Sequence, residues 1–399
     1  MRKITGLILG LCLLTGLTGI PASAAFSAVP AIAAGANHSV ALASDGTVWA
    51  WGDNERGQLG DGTAHRRLIP VQVKDICEAV AVAAGRAHTA AVKSDGTVWA
   101  WGQNELGQLG DGTTSSHALP VQVRDLDGVT AIAAHDRHTL ALRDDGTVWA
   151  WGDNGRGQLG NGTWVSHSAV PVKAQGLAHI TAVAAGWGHS LALNEAGFVF
   201  AWGLGEPNRN VPAQVAGLSN VKAIAADGNT SAALCVDGTV WTWQAAGPAP
   251  AQVPGLSGVK AIAVGVNHVL ALKNDGTVWA WGGNSSGQLG DGTTNDSDAP
   301  VQLPEFNNIT AIAAHDHNVA LKSDGVVWAW GSNMHGQLGN GNAGTERYAA
   351  TPGPVQSPFQ RGLLNDNVLN LFDTAPWWSN LCSFLQFILR WFLFGWLWM

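Results

Sequence analysis

The sequence predicts an all-β fold, a seven-bladed β-propeller, and three observations carry that prediction. The tetrapeptide Trp-Ala-Trp-Gly, or a weakened copy, starts at Trp49, Trp99, Trp149, Phe200, Trp241, Trp279 and Trp328, at spacings of 50, 50, 51, 41, 38 and 49 residues. A second marker, Ala-Ile-Ala-Ala-Gly or a close variant, also occurs seven times, from Ala31, Ala81, Ala131, Ala182, Ala223, Ala261 and Ala311. Composition agrees: 51 Gly and 20 Trp among 399 residues, with 13% charged, suit short strands and tight turns rather than helical bundles.

One unit shows why each repeat supplies four strands. Residues 130–134 form a small-residue strand and residues 138–142 a second. Asp145-Gly146 then marks a hairpin, because Gly takes positive φ without strain. Residues 147–151 form the third strand, a Gly-rich loop follows at 157–162, and Pro171-Val172 opens the fourth. In a strand the two indoles of Trp-Ala-Trp point to one face and the Ala to the other. Large rings on one face of a blade can therefore interlock with small residues on the next. The Ala-rich strands suit the crowded region near the axis. Unit one begins at its small-residue strand and unit seven ends at Pro354-Val355, so strands from the two termini are expected to share one blade, which removes open edges.

These units resemble the regulator of chromosome condensation repeat family. The resemblance rests on A-A-G-x-x-H-S, D-G-T-V-W-A-W-G, N-x-x-G-Q-L-G-D-G and P-V-Q-V, over residues 31–356. It implies a seven-bladed propeller, in agreement with the repeat count. The family's eukaryotic founder is a nuclear exchange factor for the small GTPase Ran that also binds chromatin, through an inserted wedge and a basic tail. The spacings here leave no room for a large insertion, and no basic tail is present, so exchange activity is disfavoured. Units four and five are short and lack the Gly-Gln-Leu-Gly loop, reading Glu206-Pro207-Asn208-Arg209 and Ala245-Ala246-Gly247-Pro248 in its place. Such compact units are similar to those of secreted propeller-type β-lactamase inhibitors, which bind their targets through loops on one face.

The ends of the chain read differently. Arg2 and Lys3, an apolar run and Ala22-Ser23-Ala24 make residues 1–25 a secretory signal peptide. Its removal takes away two cations and no acid, moving the formal net charge from −8 to −10. Such a chain is repelled by nucleic-acid phosphates. The remaining Cys77, Cys235 and Cys382 are far apart and odd in number, so no disulfide framework is expected. Residues 26–356 form the propeller and 357–376 a linker. Residues 377–399 hold five Trp and one charge, Arg390. This hydrophobic, helix-like tail is long enough to span a bilayer core. Three readings stand for it: a membrane tether, a recognition or processing signal, or a segment docked on the propeller or a partner.

The repeat also supplies the candidate chemistry. His38, His88, His138, His189 and His268 share one register, with Thr230 and Asn318 read in that place in units five and seven. Each sits on a different blade, so this ring is read as structural, like Trp49, Trp99, Trp149, Trp279 and Trp328. Asp61, Asp111, Asn161, Asp291 and Asn340 recur in the Gly-rich loops, without calcium-loop spacing, and are read as turn-forming side chains. Residues 155–160 match G-x-G-x-x-G, but sister units break the pattern and no helix follows. No nucleophile elbow, phosphate loop or zinc motif occurs. No catalytic residue, metal or cofactor is expected.

Binding residues are sought where the repeat breaks, because exposed Trp and Arg dominate binding surfaces and loops carry function. Trp164, Trp187, Arg66, Arg67, Glu206, Arg209, Asp296 and Asp298 meet that description. The expectation is a monomeric, secreted or surface-held module that binds a protein, not an enzyme. The alternatives are an inhibitor of a secreted enzyme such as a β-lactamase, and a carbohydrate-binding or enzymatic propeller with its site at the central channel.

Overall fold

The computed structural model describes residues 27–205, 209–342 and 347–356. The leader, Glu206, Cys382 and the tail therefore lie outside the described residues. The described chain folds into seven four-stranded antiparallel sheets, each with its strands hydrogen-bonded in chain order. Blade one is Ala31–Ala34, His38–Leu42, Val48–Gly52 and Arg67–Gln72. Blade seven is Ile309–Ala314, His317–Lys322, Val327–Ser332 and Tyr348–Pro354.

The hairpin between the second and third strands follows the expected dipeptide. In blade one, Gly46 N–H donates to Ala43 O and Ala43 N–H to Thr47 O, with φ of 78° at Gly46. Asp45 Oδ1 accepts from both the Thr47 N–H and its hydroxyl, at 2.9 and 2.6 Å. This is a three-residue loop with Gly in the left-handed position.

The faces of the blades pack as the alternation requires. The indoles of Trp99 and Trp101 pack against Ala50, Val40 and Val48 of blade one. Trp149 and Trp151 meet Ala100, Val92 and Val98 of blade two in the same way. Each indole pair thus fills the space left by the small residues of the preceding blade, and the core is a ring of interblade seams. The Ala-rich first strands pack against one another around the axis.

Two expectations are corrected. The termini do not share a blade: all four strands of blade one and all four of blade seven are consecutive in sequence. The ring closes side to side instead. Trp51 and Ala41 pack with Val319, Val327 and Ala329, and Trp51 Nε1 donates to Gln337 O at 2.8 Å. The seam between blades seven and one thus uses the same packing and indole–carbonyl bond as the seam between blades one and two. The histidine register is also corrected in blade seven. His317 pairs with Gly331 as His38 pairs with Gly52, so His317, not Asn318, holds the position. The turn before it is one residue shorter, which shifts the count. Cys235 is buried, and Cys77 is only partly so.

Candidate functional site

The histidine ring belongs to the seams. His38 Nε2 lies 3.0 Å from Thr89 Oγ1 of the next blade, and that hydroxyl donates to Gln58 O at 2.8 Å. The Trp101 indole donates to the same carbonyl at 2.9 Å. The relay recurs through His88, Thr139 and Gln108, and through His138, Ser190 and Gln158. It also runs through His268, Asn318 and Gln288, and closes the ring through His317, Ser39 and Gln337. Burial, aided by neighbouring histidines, pushes His38 and His88 down to about 3. Burial likewise takes His189 down to about 4. These are neutral hydrogen-bonding rings.

The glycine of the second marker stands where such a ring folds back. A Cβ at Gly35 would lie 2.4 Å from His38 Cε1, and one at Gly85 2.2 Å from His88 Cε1. Gly186 and Gly265 repeat this arrangement. In the other blades the same position carries a side chain: His135 in blade three, Asp227 in blade five and His315 in blade seven. The alternation matters because residues near the axis converge. The glycines of blades four and six, which separate the three, lie against their own His189 and His268 rings.

These three side chains meet. One ligand atom from each lies within 4.8 Å of the others, and all three residues are buried. His135 Nε2 is 2.8 Å from Asp227 Oδ1, and His315 Nε2 is 4.0 Å from Asp227 Oδ2. The imidazoles stack with centroids 5.1 Å apart and planes 7° from parallel. Burial alone would raise the Asp227 carboxyl, but the facing His135 and His315 hold it below its ordinary value. For His315, burial opposes the charge, and Asp227 and Asp316 outweigh it, raising the imidazole. Burial raises Asp136 against the pull of His135, Arg137 and Arg86.

Above the triad opens a cavity of about 560 Å³ to which all seven blades contribute. Its wall includes Arg86, Asp136, Trp187, Asn267 and Asp316. Arg86 Nη1 is 3.9 Å from Asp136 Oδ1, and the Arg156 guanidinium lies 4.8 Å over the Trp187 ring. Asp136 has a φ of 40°, a conformation that costs a non-Gly residue and is found at functional turns.

The described members of the sequence-derived binding set occupy the same end of the ring. In an antiparallel blade the first-to-second turn and the third-to-fourth loop fall on one side. Trp187 alone among them reaches the cavity. Trp164 is exposed in the outer loop of blade three. Arg66 reaches across to Met334 O and His335 Nδ1 at 3.4 and 3.3 Å. Arg67 is ion-paired with Asp61 at 2.6 Å, and Asp296 accepts the Asn284 N–H at 2.7 Å, so both hold their own loops. Arg209 lines a groove beside Trp243, and Asp298 is exposed on a fourth strand. The loop residues Asp61, Asp111, Asn161, Asp291 and Asn340 accept backbone N–H groups two residues on, as turn-forming side chains do.

Sequence reasoning missed the axial triad and expected no metal-ligating group. The signal was present: the fifth position of the second marker reads Gly, Gly, His, Gly, Asp, Gly, His around the ring.

Comparison with known proteins agrees with this architecture. A profile described as the RCC1-like domain matches residues 18–209. Profiles of the regulator of chromosome condensation (RCC1) repeat match 259–288, 275–321 and 324–366. The chain is an RCC1-like seven-bladed propeller and belongs to the regulator of chromosome condensation repeat family. Residues 210–258, between these matched segments, hold blade five and the end of blade four. Among solved structures, Prp20p from Saccharomyces cerevisiae is 23% identical, covering 77% of this chain and 85% of its own, with a TM-score of 0.67. Human WBSCR16 is 26% identical, covering 72% of this chain and 85% of its own, at 0.65. Yeast RCC1 (Prp20), seen bound to Kap60, is 20% identical over 90% of this chain and 92% of its own, at 0.67.

Proposed function

We propose that this chain is a protein-binding module whose recognition surface is the end of the propeller around the axial cavity. The observation that carries the reading is that cavity. Arg86, Trp187, Asp136 and Asp316 stand on one rim, each in a different blade, with an exposed Trp at its edge. Exposed Trp and Arg beside a concave centre are what binding surfaces concentrate. The acids of the wall and the chain's formal net charge of −8 favour a partner that presents basic side chains. The same fold serves protein recognition elsewhere: the yeast Prp20p structure concerns binding to Gsp1p and histones, and yeast RCC1 (Prp20) was crystallised with Kap60. The leader-like residues 1–25 support export, so the partner is sought outside the cytoplasm, with residues 377–399 as a tether at a membrane.

The test is crosslinking in the native host with the full chain, beside Trp187→Ala, Arg86→Ala and a control at the opposite end, Asp237→Ala. The expected result is one partner captured by the wild type and the control and lost from the two rim variants. Equal capture by all four moves binding away from this end. A second reading, a sugar-binding or catalytic cavity, is favoured by the convergence of His135, Asp227 and His315. It separates cleanly, because His135→Ala leaves the outer rim intact. A loss of turnover or glycan binding in that variant, with partner capture retained, would select it.

A further inference from the structure

We propose that His135, Asp227 and His315 bind one divalent transition-metal ion, of the Zn²⁺ type, on the propeller axis. This inference does not depend on the partner-binding reading. The donor set is two imidazoles and a carboxylate, which suits such ions and not Mg²⁺ or Ca²⁺.

The geometry is close to that of a site. Two atoms bound to one Zn²⁺ at tetrahedral angles lie about 3.4 Å apart, given bonds of about 2.1 Å. The two Asp227–His contacts, at 2.8 and 4.0 Å, straddle that value. The widest separation, within 4.8 Å, needs to close by about 1.4 Å to reach that tetrahedral value.

A second observation points to a cation. Asp227 is 2% exposed, and its Oδ1, although 2.8 Å from His135 Nε2, receives no directed hydrogen bond. His135 Nε2 also lies 3.5 Å from the Gly228 N–H nitrogen. His135 Nε2 and Asp227 Oδ1 thus stand 2.8 Å apart in a buried site, where a carboxylate is costly unless a cation, a proton on the imidazole or a metal ion, lies against it. A carboxylate stands on the outer side as well: His315 Nδ1 makes no hydrogen bond but lies 3.5 Å from Asp316 Oδ2, within a small shift of the carboxylate–histidine pairing that orients metal-bound imidazoles. Three protein ligands leave a coordination position facing the cavity, as in open zinc sites.

The full chain is purified, stripped with EDTA, incubated with Zn²⁺ and desalted, and its metal is counted by mass spectrometry. Co²⁺ loading is read by visible absorption. The wild type is expected to hold one ion per chain, with a raised melting temperature and a Co²⁺ spectrum of nitrogen and oxygen ligation. His135→Ala, Asp227→Asn and His315→Gln are each expected to weaken retention at least about tenfold, and Asp316→Asn by about tenfold. Circular dichroism of the stripped proteins identifies any variant that fails to fold, and the remaining variants then carry the comparison. Wild type that regains no zinc would leave a protonated His–Asp pair and overturn the proposal. Zinc retained equally by wild type and every folded variant would place it elsewhere and overturn it as well.

Discussion

Five of the seven blade seams differ from the other two, and the difference shows what the Gly-rich loops do. Where a blade carries the Gly-Gln-Leu-Gly loop, its Gln carbonyl latches the next blade's second indole. Trp51, Trp101, Trp151, Trp202 and Trp330 are bonded in this way at 2.8 to 2.9 Å. Blades four and five have no such loop to supply a carbonyl. Trp243 is half-buried, and Trp281 is 8% exposed against 0% for Trp101. Cavities of about 280 and 320 Å³ open beside these two indoles. The seam between blades five and six has changed on both sides: Thr230 replaces the histidine, and Val269 the hydroxyl that would meet it. A buried polar group without its partner costs more than losing both, so the paired change leaves an apolar seam with no orphan.

The contrast can be broken by truncating its indoles. Trp101→Ala empties a sealed seam and is expected to cost about 3–5 kcal/mol. Trp243→Ala, beside a space already open to water, is expected to cost about 1 kcal/mol. Urea denaturation measures both, and equal losses would show that the loop adds nothing to the seam.

Acid is the next lever, because the seams hold neutral histidines. His38, His88 and His189 titrate below their ordinary value of 6.5 in the folded chain. Between those low values and 6.5 the unfolded chain binds more protons, so stability falls as pH falls through that window. The urea midpoint should drop steadily from pH 6.5 to 4. His88→Gln, which keeps a side-chain amide near Thr139, should flatten that slope by one proton's worth. An unchanged slope would mean that His88 is not neutral when folded.

The latch itself is a smaller quantity. Trp101→Phe removes the indole N–H but leaves Gln58 O with the Thr89 hydroxyl, so about 1 kcal/mol is expected. Trp281→Phe has no loop carbonyl to lose and should change stability by less than about 0.5 kcal/mol. The smallest effect is a gain. Replacing residues 245–250 of blade five with the loop 283–296 of blade six should cover Trp281, shift tryptophan emission to the blue and stabilise by up to about 1 kcal/mol. A red shift would show that the graft does not seat.

Much of the fold was legible because period is a local property. Trp-Ala-Trp-Gly recurs with the strand alternation that sets its faces, and Asp-Gly marks the turns, so seven blades of four strands followed from counting. Ring closure was misjudged because a shared strand and a packed seam place the same residues at the two ends. The register slip in blade seven came from one missing turn residue, which pairing with Gly331 reveals and spacing hides. Arg67 and Asp296 looked available for a partner because a sequence does not show which loop charges are already spent on their own loop.

What the sequence by itself determined is which positions are equivalent. It put His135, Asp227 and His315 in the register of Gly35, and His38 in that of His317's neighbours, without saying how far apart equivalent positions stand. Only the tertiary structure decided that, because separation depends on distance from the rotation axis. The seam histidines, each bonded to the next blade, form a ring of separate sites. The fifth residue of the marker sits at the axis, where substitutions in three blades that are far apart in sequence become one buried cluster.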